Sequence, residues 1–147
     1  MNFKSIIFLV LATVLMSMVI AQIPQKPQYD RVHDNGKKET LLLDSIFNFI
    51  CEQKILHPEI VIKQVIIETG WLKSPFLMSK NNLFGFRKKK YLSFSSWKES
   101  VEYYKKWQEK YYKNTDEDYF KFLIRIKYAT NKYPEHLKKI NFNKTCN

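Results

Sequence analysis

Glycine is scarce in this chain, with three in 147 residues, and none forms a phosphate-cradling loop. There is no nucleophile elbow either. The three histidines, His33, His57 and His136, are scattered and offer no metal-ligand pairing, so neither metal nor cofactor is expected. Acids are few: 14 Asp and Glu stand against 25 Lys and Arg, a formal charge of +11. The stretch from Arg87 to Trp97 contains no acid at all. The only cysteines are Cys51 and Cys146. Neither lies near the N-terminus, so a lipid-anchored form is not indicated. No internal repeat is visible.

A long apolar run occurs only at the start. Lys4 gives a positive leader, Ile6 to Ile20 an apolar stretch, and Val19-x-Ala21 a small-residue cleavage pattern. Together these read as an export signal over residues 1–21, placing the mature chain in the periplasm, cell wall or extracellular space. The rival is an uncleaved anchor, but the run is short of the roughly 20 residues a span needs, and Thr13 and Ser17 dilute it. Cleavage removes Lys4 and takes the charge from +11 to +10. Such a balance favours polyanions: nucleic acid, acidic membranes or anionic cell-wall polymers. The plainer reading is a solvated, lysine-rich surface. Export and the lack of any nucleic-acid motif argue against nucleic acid. No stable membrane insertion is expected after signal removal, and a monomer is the expected state.

Residues 22–39, with Pro24, Pro27 and Gly36, suit a flexible lead-in. Residues 40–141 must hold the folded unit, and 142–147 form a C-terminal tail. Leu42, Leu43, Ile46, Phe47 and Ile50 recur at helical spacing, predicting a helix over 40–54. Pro58 and Glu59 suit the first turn of a second, most buried helix that Gly70 stops. Ser96 to Glu99 has capping-box spacing and opens a third helix to Tyr111. Thr115 similarly opens a fourth to about Lys127, and Pro134 a short fifth. Phe84–Arg87 and Tyr91–Phe94, around Lys88-Lys89-Lys90, predict a small β-hairpin. The expected class is mainly α, with a small β-hairpin lobe flanking a groove. Cys51 and Cys146 either pair as a disulfide, as export favours, or stay free thiols; the sequence leaves both open.

Glu68 ends a nearly all-apolar helical run, just before Thr69-Gly70-Trp71. The negative end of the helix dipole and the apolar surroundings both oppose its ionisation. A carboxyl tuned in this way suits a general acid; the alternative is a side chain pointing to solvent at a helix end. Around it in sequence lie Trp71, Phe84, Phe86, Tyr91, Phe94 and Trp97, with Asn81 and Asn82 as amide donors. Aromatic faces with amides suit sugar rings, Trp71 foremost. Most of the aromatics are expected in the core, Tyr104, Trp107 and Phe122 among them.

Pro58, Gln64, Glu68-Thr69-Gly70-Trp71, Ser74, Asn82-Leu83-Phe84-Gly85, Trp97-x-x-Ser100-Val101 and Tyr128-Ala129 with Tyr133 follow one another in a familiar order. The chain resembles the family 73 glycoside hydrolases, bacterial glucosaminidases that cleave the peptidoglycan glycan. The resemblance covers Leu41 to Ile140. It implies a lysozyme-like helical fold with a small β lobe and hydrolysis of the β-1,4 bond from N-acetylglucosamine to N-acetylmuramic acid. It also implies peptidoglycan glycan strands as partner, Glu68 as the acid and Tyr128 facing it, with Asn82, Leu83, Phe84 and Gly85 along the groove. One departure stands out: the β lobe lacks the second carboxylate many relatives carry. Two-carboxylate mechanisms need that partner, so substrate assistance by the N-acetyl group, a water oriented by Tyr128, or weakened activity enter instead. Rival readings are a muramidase or lytic transglycosylase on the same fold, a wall-binding module, and a cationic membrane-active protein.

Overall fold

The computed structural model describes the backbone of residues 28–146 and the side chains of 36–146; the expected export signal lies outside them. The first described helix, α1 (Gln28–Glu52), begins well before residue 40. Residues 28–39, expected as flexible lead-in, are therefore helical. After Pro27 no proline interrupts the chain until Pro58, and Lys37, Lys38 and Glu39 are good helix formers that outweigh the roughly 1 kcal/mol cost of Gly36. Among the described residues no helix is long and apolar enough to cross a membrane.

Five further helices follow: α2 (Pro58–Thr69), α3 (Pro75–Ser79), α4 (Trp97–Tyr111), α5 (Tyr119–Arg125) and α6 (Tyr133–Lys138). Val61, Ile62, Val65 and Ile66 of α2 are at most 1% exposed; burying each stabilises the fold by about 1.5–3 kcal/mol. They join Leu43, Ile46, Phe47 and Ile50 of α1, Val101 and Tyr104 of α4, and Phe122 and Leu123 of α5 in one core. Helix α6 packs on α2. Lys37–Asn147 forms a compact unit, so this core belongs to the predicted domain. The fold is mainly helical, as the periodicity indicates.

Three local outcomes depart from the sequence reading. Short helix α3 was not foreseen; Ser74 caps it, its Oγ accepting from Leu77 N. The fourth expected helix starts at Tyr119, not Thr115, because Tyr112 Oη donates to the Glu117 and Thr115 carbonyls at 2.6 and 3.3 Å. Those bonds hold 115–117 as a loop, and Asp118 becomes the cap. The expected hairpin reduces to a single antiparallel bridge, Arg87 to Tyr91. The Asn82 side chain takes the place of a ladder: its Nδ2 donates to Phe86 O and Leu92 O, and its Oδ1 accepts from Phe86 N.

Cys51 and Cys146 are joined, with Cα atoms 5.7 Å apart and a sequence separation of 95. Phe142 meets Phe47 edge-on, and Lys144 pairs with Asp44 at 2.6 Å. The tail is thus fixed to α1 by three kinds of contact.

Candidate active site

Helix α2 ends as its sequence dictates. Gly70 is left-handed at φ 57°, and its N–H bonds back to Ile66 O. Trp71 and Leu72 are left-handed too, at 61° and 63°, a conformation that strains residues with side chains. Thr69 compensates: its Oγ1 donates to Val65 O at 2.7 Å and accepts from Leu72 N at 2.9 Å. This rigid turn fixes the last helical turn, which carries Glu68.

Three contacts hold the segment opposite. Asn82 spans the loop as described, Leu83 N donates to the buried Ser100 Oγ at 3.1 Å, and Tyr128 Oη donates to Phe84 O at 3.0 Å. Gly85, at φ 64°, then brings its backbone against the acid; a Cβ there would stand 3.0 Å from Glu68 Oε2. Only glycine fits that close approach and that φ.

Glu68 is half-buried at the edge of a cleft of about 460 Å³. Phe84, Gly85, Tyr91 and Tyr128 line it with Glu68, so the structure unites these five predicted site residues. Four others lie elsewhere. Asn82 and Leu83 have no exposed surface and support the groove from behind. Asn81 donates its amide to Phe94 O, and Trp71, 44% exposed, is outside the cleft lining. The left-handed turn separates Trp71 from the face of α2 that bears Glu68.

Other groups enter the cleft that the sequence reading placed elsewhere or passed over. Trp107, expected in the core, packs on it from one side and lines the cleft with the other. Arg87 and Lys127 also line it; only the absence of acids from 87 to 97 hinted at a cationic rim. Tyr133, named in the family pattern without a role, does not line the cleft but meets the acid directly. Its hydroxyl donates to Glu68 Oε1 at 2.9 Å, across 65 residues of sequence. The packing of α6 on α2 makes that pair, and no local pattern foretells it.

The electrostatics follow from this enclosure. Burial raises the Glu68 pKa above its ordinary 4.5, while the Tyr133 hydrogen bond pulls it back. Tyr133 is itself raised, by burial first and then by the nearby carboxylate, so it remains a protonated donor. Burial likewise keeps Tyr128 protonated. Among the described residues Glu68 is the sole carboxylate lining the cleft. The site can therefore hold one proton on a desolvated carboxyl beside aromatic faces and two cations.

A half-buried carboxyl whose pKa burial raises, in an aromatic cleft on a helical scaffold, fits a glycoside hydrolase site. The chain belongs to the glucosaminidase family described as mannosyl-glycoprotein endo-beta-N-acetylglucosaminidase, whose model matches residues 46–143. It is accordingly a glycoside hydrolase with a glycan substrate, of the peptidoglycan-cleaving kind. Comparison with curated proteins returns no match, and neither does comparison with solved structures. The matched span contains Glu68, Tyr133 and every residue lining the cleft.

Proposed function

We propose that this is an exported hydrolase that cleaves the β-1,4 bond between N-acetylglucosamine and N-acetylmuramic acid, with Glu68 as general acid. The observation that carries this reading is the Glu68 carboxyl itself: half-desolvated, fixed between Tyr133 and the Gly85 backbone, and open to the cleft. Glu68 gives its proton to the glycosidic oxygen as the C1–O bond breaks. Among the described residues no second carboxylate lines the cleft, so the acetamido oxygen of the same sugar closes on C1. Water then opens the resulting oxazolinium and returns a proton to Glu68. Tyr128 fits a supporting role. Its own proton is committed to Phe84 O, which leaves the oxygen free to accept the acetamido N–H.

The surroundings support the substrate. Tyr91, 40% exposed, meets Phe76 edge-on and offers a face to a sugar ring. Arg87 and Lys127 favour an anionic polymer over a neutral one. The Cys51–Cys146 disulfide supports export, since such bonds persist in oxidising compartments. The single acid also favours a second reading, a muramidase or lytic transglycosylase, which needs only one. Mass spectrometry of digested peptidoglycan separates them. Reducing-end N-acetylglucosamine is the expected product; reducing-end or anhydro-muramic ends would replace this reading with the second. Binding to insoluble wall without release of soluble fragments would instead mark a wall-binding module.

A further inference from the structure

Gln64 lies one helical turn before Glu68 on the same face of α2 and has no exposed surface. A polar side chain in that position costs stability unless it is satisfied. Its Oε1 accepts from Tyr104 Oη at 2.6 Å, but its Nε2 has no hydrogen-bond partner. The bonds behind it settle which way the protons point. Gln108 Oε1 accepts from Leu56 N, so its Nε2 is the group that donates to Tyr119 Oη at 2.9 Å. Tyr104 has one proton and gives it to Gln64; the 2.6 Å contact between Tyr119 and Tyr104 must therefore be donated by Tyr119. Every donor in the series points from the far side of the core toward the cleft. The next hydroxyl in that direction is Tyr133, on whose ionisation the Gln64 side chain acts, and Tyr133 donates to Glu68.

We propose that Gln108, Tyr119, Tyr104 and Gln64 form a one-way donor chain that aims the Tyr133 hydroxyl at Glu68, making Gln64 a positioning residue for the acid. The free Nε2 of Gln64 is the donor that faces the Tyr133 oxygen. Donation to the Tyr133 oxygen polarises its O–H and strengthens the bond to the carboxylate, as in other buried hydrogen-bond chains. The chain thus opposes the desolvation of Glu68 and stops the acid from binding its proton too tightly to release it. The other groups facing Glu68 are Tyr128 after α5, the Gly85 backbone, and the cleft cations Arg87 and Lys127. None of these belongs to the chain, so cutting it leaves them in place.

The inference rests on Glu68 as the acid, and its test has a readout that does not need activity. Carboxyl-carbon NMR follows the Glu68 titration in wild type, Gln64→Met and Tyr104→Phe, alongside the pH profile of kcat/KM. Both variants should raise the Glu68 midpoint by about 0.3 pH unit, and the falling alkaline limb of kcat/KM should move with it. Tyr133→Phe, which removes the final donor, should raise it by about one unit. Tyr112→Phe is the control, because that hydroxyl serves the Thr115 and Glu117 carbonyls outside the chain. It should lower Tm without moving Glu68. The proposal is overturned if Gln64→Met and Tyr104→Phe lower Tm as the control does and leave the midpoint unchanged. Should Gln64→Met fail to fold, Tyr104→Phe alone decides, since it keeps the ring in the core. Wall-degrading activity that survives Glu68→Gln would refute the acid's role, whereas an unmoved midpoint would refute the chain.

Discussion

The two ends of α2 are built from the same parts and do different things. At the start, His57 stacks on Tyr119 at 4.5 Å, meets Tyr112 edge-on, and has Nε2 3.1 Å from Tyr112 Oη. At the finish, Glu68 accepts from Tyr133 Oη at 2.9 Å. Each is a titratable group, partly desolvated, with a tyrosine hydroxyl as partner. The difference is what the open side meets. His57, part-buried like Glu68, packs on Tyr112 and Tyr119 as a structural joint before Pro58 and lines no part of the cleft. Glu68 has the Gly85 backbone against Oε2 and lines the cleft. Burial and a tyrosine make a perturbed group; a place in the cleft makes it a reagent.

A change remote from both ends should affect stability alone. Replacing Cys51 and Cys146 together by Ala removes the closure of a loop spanning 95 positions and should cost about 4–5 kcal/mol in the chain-entropy model. Denaturant unfolding would measure the loss, and glycan hydrolysis under native conditions should persist. Gly85→Ala attacks the open end. The new Cβ meets Glu68 Oε2 at 3.0 Å on a backbone at φ 64°. Displacing the acid by even a fraction of an ångström should lower kcat/KM about a hundredfold, with KM moving less than kcat. His57→Gln attacks the end outside the cleft, and there the loss should be about 1 kcal/mol of stability with kcat/KM intact. An activity loss at His57 matching that at Gly85 would erase the distinction between the two ends.

The smallest effect is the sign of the pH dependence. Burial lowers the His57 pKa below its ordinary 6.5, so the unfolded chain binds that proton first, and stability falls as pH drops through 6.5 toward the folded value. Burial raises Glu68 above 4.5; there the folded chain holds the proton longer, and stability falls as pH rises from 4.5 through the folded value. Tm measured against pH should therefore flatten just below pH 6.5 in His57→Gln and just above pH 4.5 in Glu68→Gln. The same sign for both variants would contradict the assigned environments.

Much of this contrast was legible in the sequence, and the reasons differ by element. Pro58, the isoleucine and valine run, and Gly70 determine α2 locally, and Ser96 caps α4 as its spacing predicts, its Oγ accepting from Glu99 N. The apolar context of Glu68 likewise announced a perturbed acid. The hairpin shrinks to one bridge because alternating aromatics report which side chains are covered, not which backbone groups pair, and Asn82 occupies Phe86 N and Leu92 O. Residues 28–39 looked like linker because Gly36 was weighed above the helix formers beside it. The roles of Tyr133 and Trp107 were not legible for a simpler reason. The contact of Tyr133 with Glu68 and the place of Trp107 at the cleft depend on how α6 and α4 pack, and periodicity gives only the face a helix buries.

The central claim is that Glu68 supplies the proton for glycan cleavage. Side-by-side digestion of peptidoglycan by wild type and Glu68→Gln, with released fragments quantified by mass spectrometry, tests it directly. The account predicts reducing-end N-acetylglucosamine fragments from the wild type. The variant should release about 10²–10⁴-fold less, with a Tm at neutral pH no lower than wild type. Equal release by the two proteins would contradict it.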